Sequence, residues 1–489
     1  MPKITIIKQG KKSEFIFEGT PLLSEALLAF GISQPHLCGG RGTCGKCAVT
    51  VSGQVSEENA LEQAAGVRLS CQVRLLGDCE AVLNGGNEGQ HVALEGEVAV
   101  STLRPIKGRY GAAIDIGTTT LALRLYDLNL GKALSEAGGM NPQTAIAADV
   151  MGRIGAAMTG VGQQLQSMLL DALEALLHEL CAKGKISFEE LDVLSVTGNT
   201  TMLYLLMGKD PSKLSHAPFD ADCLFGDWTE LFGKRTYLAR CMSAFVGGDI
   251  SCAVLASGMC KGKETALLVD VGTNGEMALW HEGMLHVAST AAGPAFEGGG
   301  IHLGCGGIPG AINKVWQEGT ALGITTIDNQ KAVGICGSGL IDAIAALLAT
   351  ERIDETGYTE EEELHLSDEV YLIPKDIRNV QLAKSAIAAG IKTLLHDTKA
   401  SLEDIRTLYV AGGFGSRLNY KSAAAIGLFP KALLGREKIC GNAALAGAGM
   451  LLLDTTLIDE TERLAKTAAT TPLGGSSRFA DYYMEEMMF

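Results

Sequence analysis

Lys3–Lys8 alternates apolar and polar side chains, and Ser13–Phe17 repeats the alternation, which predicts a β-hairpin with one buried face. Leu22, Leu23, Ala26, Leu27 and Phe30 then recur with a helical period. Thr20-Pro21 supplies an N-cap and a first-turn proline for that helix, and Gly31 sits where its C-terminal cap belongs. Alternating stretches at Cys47–Val51 and Cys79–Leu83 complete a small α+β unit. Val98–Gly108, with Pro105 and several basic residues, reads as a linker, and from there the chain has an α/β pattern to its end. The expected division is therefore a first domain over 1–95, a linker over 96–109, and a large domain over 110–489 whose second subdomain begins near 262. Ala443–Leu453 is the most apolar stretch and predicts a buried helix; it falls well short of the roughly 18 residues of a membrane span.

Length and composition narrow the class. The chain has 489 residues, 47% hydrophobic and 20% charged, which suits a globular protein with several cores. Lys plus Arg number 40 and Asp plus Glu 56, a net charge of −16, so the electrostatic footprint of a nucleic-acid binder is missing. The N-terminal MPKITIIKQGKKSEF has neither a long apolar core nor an Arg-rich amphipathic pattern, and a cytoplasmic location is expected. Thirteen cysteines in such a chain are expected as thiols or metal ligands rather than disulfides.

Four of those cysteines are spaced C-x5-C-x2-C-x23-C: Cys38, Cys44, Cys47 and Cys71. Three thiolates on a glycine-rich loop (CGGRGTCGKC) with a fourth from a distant segment can surround a two-iron cluster, the glycines letting backbone N–H groups turn toward the sulphurs. A four-cysteine zinc site is the alternative, but zinc sites usually pair two short Cys-x2–4-Cys knuckles, and only one is present. Cys79 falls in an alternating strand and is expected to be structural.

The large domain contains an internal echo. Asp115-Ile116-Gly117-Thr118-Thr119 and Asp270-Val271-Gly272-Thr273-Asn274 each follow an apolar strand and lead into a second strand, 155 residues apart. Glycine lets backbone N–H groups approach an anion, and the hydroxyls of Thr118, Thr119 and Thr273 add donors. An aspartate at the strand end is placed to hold hydrated Mg²⁺ beside phosphates. Neither a P-loop nor a G-x-G-x-x-G fingerprint occurs at these positions.

The cysteine pattern resembles the plant and adrenodoxin type of [2Fe–2S] ferredoxin, the five-residue first interval leaning toward the adrenodoxin variant, which implies a β-grasp fold and a one-electron carrier. The duplicated turn resembles the actin, Hsp70 and sugar-kinase ATPases, a ribonuclease H-like α/β fold in which two related subdomains close on ATP. Thr407–Ser416, with Gly412-Gly413, resembles that family's adenosine motif, and Ser195–Thr201 resembles a segment connecting the subdomains. The combination resembles the reductive activators of corrinoid-dependent methyltransferases and corrinoid iron–sulfur proteins. That likeness runs through Asn141–Gln143, Gly198–Met202, Phe245–Asp249, Asp270–Glu276, Ala292–Gly298, Ile335–Gly339 and Ala411–Gly415. One departure is that the first phosphate loop follows the ferredoxin unit almost directly, where longer members carry a linker and middle domain.

The resemblance implies an ATP-hydrolysing enzyme that passes one electron from a [2Fe–2S] cluster to a Co(II) corrinoid protein and restores Co(I). Cys38, Cys44, Cys47 and Cys71 would hold the cluster. Asp115 and Asp270 would hold Mg²⁺, Gly117, Thr118, Thr119, Gly272, Thr273 and Asn274 the phosphates of ATP, and Gly412 and Gly413 the adenosine. Asp249 and Glu276 are the candidates for activating water, and each can equally be a structural acid. The glycine-rich run Glu297–Gly310 is expected to line the cleft or to form a mobile loop, with His302 and Cys305 as packing residues. Partners implied are the corrinoid protein, a low-potential ferredoxin or flavodoxin as electron donor, and a second copy of the chain, with neither nucleic acid nor membrane. The competing readings are a sugar or acyl kinase with a redox-sensing ferredoxin domain, and a non-enzymatic redox scaffold.

Overall fold

The computed structural model describes residues 2–8, 10–32, 34, 40, 42, 47–83, 94, 96, 98, 100–319, 321–413 and 418–489, with the side chains of 64 and 65 excepted. Cys38 and Cys44, and residues 414–416 of the adenosine motif, lie outside the described residues.

The first unit comprises β1 (Lys3–Lys8), β2 (Lys11–Ile16), α1 (Leu23–Ala29), β3 (Ala48–Val55), α2 (Ala60–Ala65), β4 (Arg68–Leu69) and β5 (Leu75–Leu83). Its five strands form one sheet in the order β2-β1-β5-β3-β4, with β1 parallel to β5 and the other pairs antiparallel. The alternation seen in the sequence is the buried face: Ile4 and Ile6 on β1, and Leu75, Cys79, Ala81 and Leu83 on β5, pack with Leu23, Ala26 and Leu27 of α1. Each such leucine or isoleucine contributes about 1.5–3 kcal/mol on burial. Cys79 is structural, as expected. The helix starts later than the sequence suggests. Leu22 forms a bridge with Arg74 and Leu75 donates its N–H to Pro21 O at 3.0 Å, so the chain there stays extended and Thr20 caps nothing. Leu22 is the N-cap residue, and its N–H is satisfied by Glu25 at 2.8 Å.

The remainder is a duplicated α/β structure. Its first sheet contains β6 (Tyr110–Ile116), β7 (Thr120–Asp127), β8 (Lys132–Met140), β9 (Leu191–Gly198), β10 (Trp228–Leu231) and β11 (Lys234–Leu238), in the order β10-β11-β9-β6-β7-β8. Helices α3 (Val150–Ala156), α4 (Gly162–Gly184), α5 (Thr200–Leu206) and α6 (Gly248–Ser257) accompany it. The second sheet contains β12 (Thr265–Val271), β13 (Gly275–His281), β14 (Met284–Thr290), β20 (Ile405–Ala411), β21 (Glu437–Gly441) and β22 (Ala469–Thr470), in the order β21-β20-β12-β13-β14-β22. Between β14 and β20 lie β15 (Ala311–Glu318), β16 (Ala321–Thr326), β17 (Gly334–Ile335), α7 (Gly337–Ala349), β18 (Leu364–His365), β19 (Tyr371–Leu372) and α8 (Pro374–Thr398). After β20 come α9 (Tyr420–Ala425), α10 (Ala443–Leu453), α11 (Thr456–Thr467) and α12 (Ser477–Glu485).

The two halves correspond in five of their six strands, with β10 and β22 added at opposite edges. In each, a three-stranded antiparallel meander (β6-β7-β8 and β12-β13-β14) is flanked on the same edge by two parallel strands (β9-β11 and β20-β21). The long helices α4 and α8 cover equivalent outer faces. In α4 the buried leucines 165, 169, 173 and 177 recur every fourth residue, which gives one apolar stripe against the first core. Between the sheets lie α6 and α10. Leu445, Leu451 and Leu452 of α10 pack with Ala113 and Tyr126 of the first sheet, and Ile250 and Val254 of α6 pack with Leu268 and Ala278 of the second. Ala443–Leu453 is the buried helix foreseen. Ser195–Thr201, by contrast, connects no subdomains: it is the end of central strand β9 and the start of α5, and Ser195 and Thr197 are fully buried.

Residues before β6 are bound to this structure as well. Leu94, Val98 and Val100 pack against the α10 core, and Arg124 donates to Gly96 O at 3.0 Å and to Leu94 O. Among the described residues no helix is long and apolar enough to cross a membrane.

Candidate functional site

The two Gly-Thr turns meet across a cavity of about 410 Å³, a size that suits a nucleotide-like ligand. Asp115, Gly117, Thr118 and Thr119 line it from the β6–β7 turn, and Asp270, Gly272, Thr273 and Asn274 from the β12–β13 turn. Gly412 and Gly413 enter from the end of β20, Asp249 from the first turn of α6, and Glu276 from β13. Every large-domain residue that the sequence singled out for nucleotide or catalysis therefore reaches one cavity. Gly412 has φ +93°, and a Cβ there would lie 2.6 Å from Asp270 Oδ1, so this position needs glycine. His302 points elsewhere, its ring nitrogen 3.2 Å from the Tyr371 hydroxyl, whereas Cys305 lines the cavity.

Among the further residues that organise the turns are four to which the sequence reading assigned no such part. Glu297 Oε2 accepts from the hydroxyls of both Thr119 (2.9 Å) and Thr273 (2.5 Å), so one carboxylate joins the two turns. Asn442, the N-cap residue of α10, donates to Asp115 Oδ2 at 2.9 Å. Asn199, the N-cap residue of α5, donates to Thr118 Oγ1 at 3.1 Å. Arg153 is fully buried and donates to Thr118 O (2.5 Å), Ala147 O and Gln143 Oε1 (both 3.0 Å). The asparagines carried a usable signal, since each directly precedes a helix. Arg153 carried none; it sits in an ordinary helical sequence, VMGRIGA.

The electrostatics are one-sided. Asp115, Asp249, Asp270, Glu276 and Glu297 all face the cavity, and among its described lining residues there is no lysine or arginine. Burial pushes Asp115 up to about 6, against which the Asn442 hydrogen bond works. Burial and the charges of Asp115 and Glu297 push Asp270 up to about 7. Asp249 rises to about 8 through burial and the neighbouring Asp115 and Asp270, and Glu276, the direct cross-strand partner of Asp270, is raised well above the carboxylate range by burial and the charges of Asp249 and Asp270. Glu297 is also raised, by burial, although its hydrogen bonds to Thr273 and Thr119 and the charge of Arg153 oppose the shift. Such a cleft calls for a cation, and the donors suit Mg²⁺, a hard ion that keeps most of its waters and needs one or two carboxylates. Among the described residues no group of three His, Cys, Asp or Glu is arranged to hold a metal ion.

In the first unit, Cys47 immediately precedes β3 and Cys71 follows β4, and their sulphurs lie 3.3 Å apart, both buried. Two thiols at that spacing, with the backbone of Gly40 close by at Gln72, fit a metal-sulphur centre on this side of the sheet.

Three family models match the chain in succession. The 2Fe-2S iron-sulfur cluster binding domain covers residues 6–76, the RACo middle region 110–262, and the C-terminal domain of RACo, the ASKHA domain, 264–489. The middle region that the sequence reading took for an insertion absent here is thus the first half of the duplicated structure. A corrinoid activation enzyme, RamQ, of Eubacterium limosum is 30% identical over 449 residues, spanning 83% of this chain and 75% of that one. A [Co(II) methylated amine-specific corrinoid protein] reductase of Methanosarcina barkeri is 26% identical over 424 residues, spanning 78% and 77%. Among solved structures, a reductive activator for corrinoid, iron-sulfur protein superposes with a TM-score of 0.73 at 27% identity, covering 100% of this chain and 98% of that one.

Proposed function

Because the chain belongs to the family of corrinoid activation enzymes, we propose that it is an ATP-dependent reductive activator that returns a Co(II) corrinoid protein to Co(I). A [2Fe–2S] cluster bound by Cys38, Cys44, Cys47 and Cys71 supplies one electron per event. The observation that carries the reading is the presence, in one polypeptide, of the paired Cys47 and Cys71 sulphurs and a two-turn acidic cleft.

In the cleft, Asp115 and Asp270 would hold Mg²⁺, which would supply positive charge beside the phosphates and offset the burial of both carboxylates. The turns Gly117–Thr119 and Gly272–Asn274 hold the phosphates by backbone N–H and hydroxyl groups, and Gly412 and Gly413 seat the adenosine. Asp249, on the first turn of α6, and Glu276, at the start of β13 beside Asp270, line the same cavity and are the groups that would take up the proton of an attacking water. Phosphate between the turns competes with Glu297 for the hydroxyls of Thr119 and Thr273, so ligand binding exchanges a bond between the halves for bonds to the ligand. A one-electron gap of about 0.1 V costs about 2.3 kcal/mol. ATP offsets it to the extent that it binds one state of the complex more tightly than the other.

The donor to this chain is a low-potential ferredoxin or flavodoxin, the working unit a homodimer, and the location the cytoplasm. The test is anaerobic mixing of the reduced protein with a Co(II) corrinoid protein, with and without Mg-ATP, while the cobalt absorption is followed. Co(I) is expected to accumulate with Mg-ATP, and equal accumulation without nucleotide overturns the ATP-dependent part. Cys44→Ala is expected to bleach the visible bands of the cluster.

A further inference from the structure

Cys71 is followed by Gln72, whose side chain turns back toward the cysteine loop. Gln72 Nε2 lies 2.8 Å from Gly40 O and 3.6 Å from Cys71 Sγ, and Asn59 Nδ2 donates to Gln72 Oε1 at 3.2 Å. The surroundings fix which end of the amide is nitrogen. A backbone carbonyl oxygen only accepts, so the atom facing Gly40 must be the donor. On the other side Asn59 Oδ1 already accepts from the N–H groups of Leu61 (2.9 Å) and Glu62 (3.0 Å), which leaves the Asn59 amide nitrogen for Gln72 Oε1. A terminal amide has two N–H bonds; Gly40 takes one, and the other is directed at sulphur.

The support behind this amide is firm. The Glu62 carboxylate, whose side chain is fully buried, accepts from Asn59 N (3.2 Å), Leu69 N (3.0 Å) and Arg68 Nε (3.0 Å). It thereby ties the N-terminus of α2 to the segment that delivers Cys71. Hydrogen bonds thus run from the Glu62 carboxylate through Asn59 and Gln72 to the Cys71 sulphur.

We infer that Gln72 is a positioning residue for the electron carrier, donating an N–H···S bond to Cys71 that sets how readily the cluster is reduced. The inference rests on the reading of Cys71 as a cluster ligand. Reduction places added negative charge on the cluster and its sulphurs, so a donor at sulphur stabilises the reduced form more than the oxidised one and raises the potential. Removing it makes the carrier harder to load and a stronger reductant.

The experiment uses the full chain purified without oxygen, and the wild type is measured first. Absence of iron–sulfur bands there would remove the reading on which the inference rests. Gln72→Met keeps the length and lacks the N–H. With the solution held at the wild-type midpoint, its reduced-to-oxidised ratio is expected to fall about three- to tenfold, tenfold being 59 mV for one electron. An unchanged ratio with the visible bands intact overturns the inference. Should Gln72→Met lose the cluster, the wild type labelled with ¹⁵N in glutamine side chains decides. A hyperfine coupling between ¹⁵N and the reduced cluster is expected, and its absence overturns the inference.

Discussion

In the β6–β7 turn, three side chains from three separate segments grip the backbone and hydroxyls. Asn141 binds Gly117 O by its amide and Thr119 O by its own N–H, Arg153 binds Thr118 O, and Asn199 binds Thr118 Oγ1. The β12–β13 turn repeats the strand, the acid and the Gly-Thr step, yet it is tied by the backbone of Gly293 at Thr273 O and by Glu297, a carboxylate it shares with the first turn. The acids differ in the same sense. Asp115 has Asn442 as a donor, whereas Asp270 accepts no hydrogen bond from a described residue and is raised further, to about 7 against about 6. Duplication kept the backbone and let the supports diverge, leaving the first turn braced and the second with the less supported carboxylate.

That contrast is most sharply tested by the two aspartates. Asp270→Asn is expected to lower ATP turnover about 100- to 1000-fold, the scale of losing one group that stabilises developing charge, with a melting temperature equal to or above the wild type's. Asp115→Asn should be milder, and the reverse order of the two variants in turnover would break the comparison. Next in size is the brace. Arg153→Met leaves Thr118 O, Ala147 O and Gln143 Oε1 without their donor and should cost about 2–4 kcal/mol in denaturant unfolding. An effect below about 0.5 kcal/mol, the range of an ordinary surface change, would show that the first turn stands without it.

The acids also predict a pH dependence. Carboxylates whose folded pKa values are raised bind more protons folded than unfolded between about pH 4 and 8, so stability falls as pH rises through that window. The melting temperature of the nucleotide-free protein is expected to drop from pH 5 to pH 8. Mg²⁺ with nucleotide should bind about tenfold tighter per pH unit for each proton it displaces, measured by calorimetry in buffers of different ionisation heat. A flat melting temperature would contradict the one-sided charge. The smallest effect is steric. A Cβ at Gly117 would lie 2.7 Å from Thr120 O, and Gly117→Ala should cost about 1–3 kcal/mol. At Gly272 nothing lies closer than 3.6 Å, and Gly272→Ala should stay within about 0.5 kcal/mol.

Much of this was legible in the sequence because it is local. A Gly-Thr step between two apolar alternations signals a turn wherever it occurs, and its repetition exposed the duplication. Cysteine spacing marked Cys47 and Cys71 in the same way. What escaped depends on contacts far apart in the chain. Leu22 is kept out of the helix by Arg74, which no helical pattern reveals. Leu191–Gly198 hides a central strand because Ser195 and Thr197 are polar residues in a fully buried position. Glu297 stands 178 residues from Thr119 and Asn442 stands 327 from Asp115, so their roles exist only once both sheets have assembled.

Asn442 also serves in a second capacity. Its side chain grips Asp115, while a Cβ at Gly96 would come within 2.6 Å of its carbonyl oxygen, so the strand of chain leading from the cysteine-bearing unit presses on the same residue. The leash of the electron carrier is therefore fastened at the doorpost of the fuel chamber, and whatever takes hold of Asp115 has a grip on the residue the leash leans against.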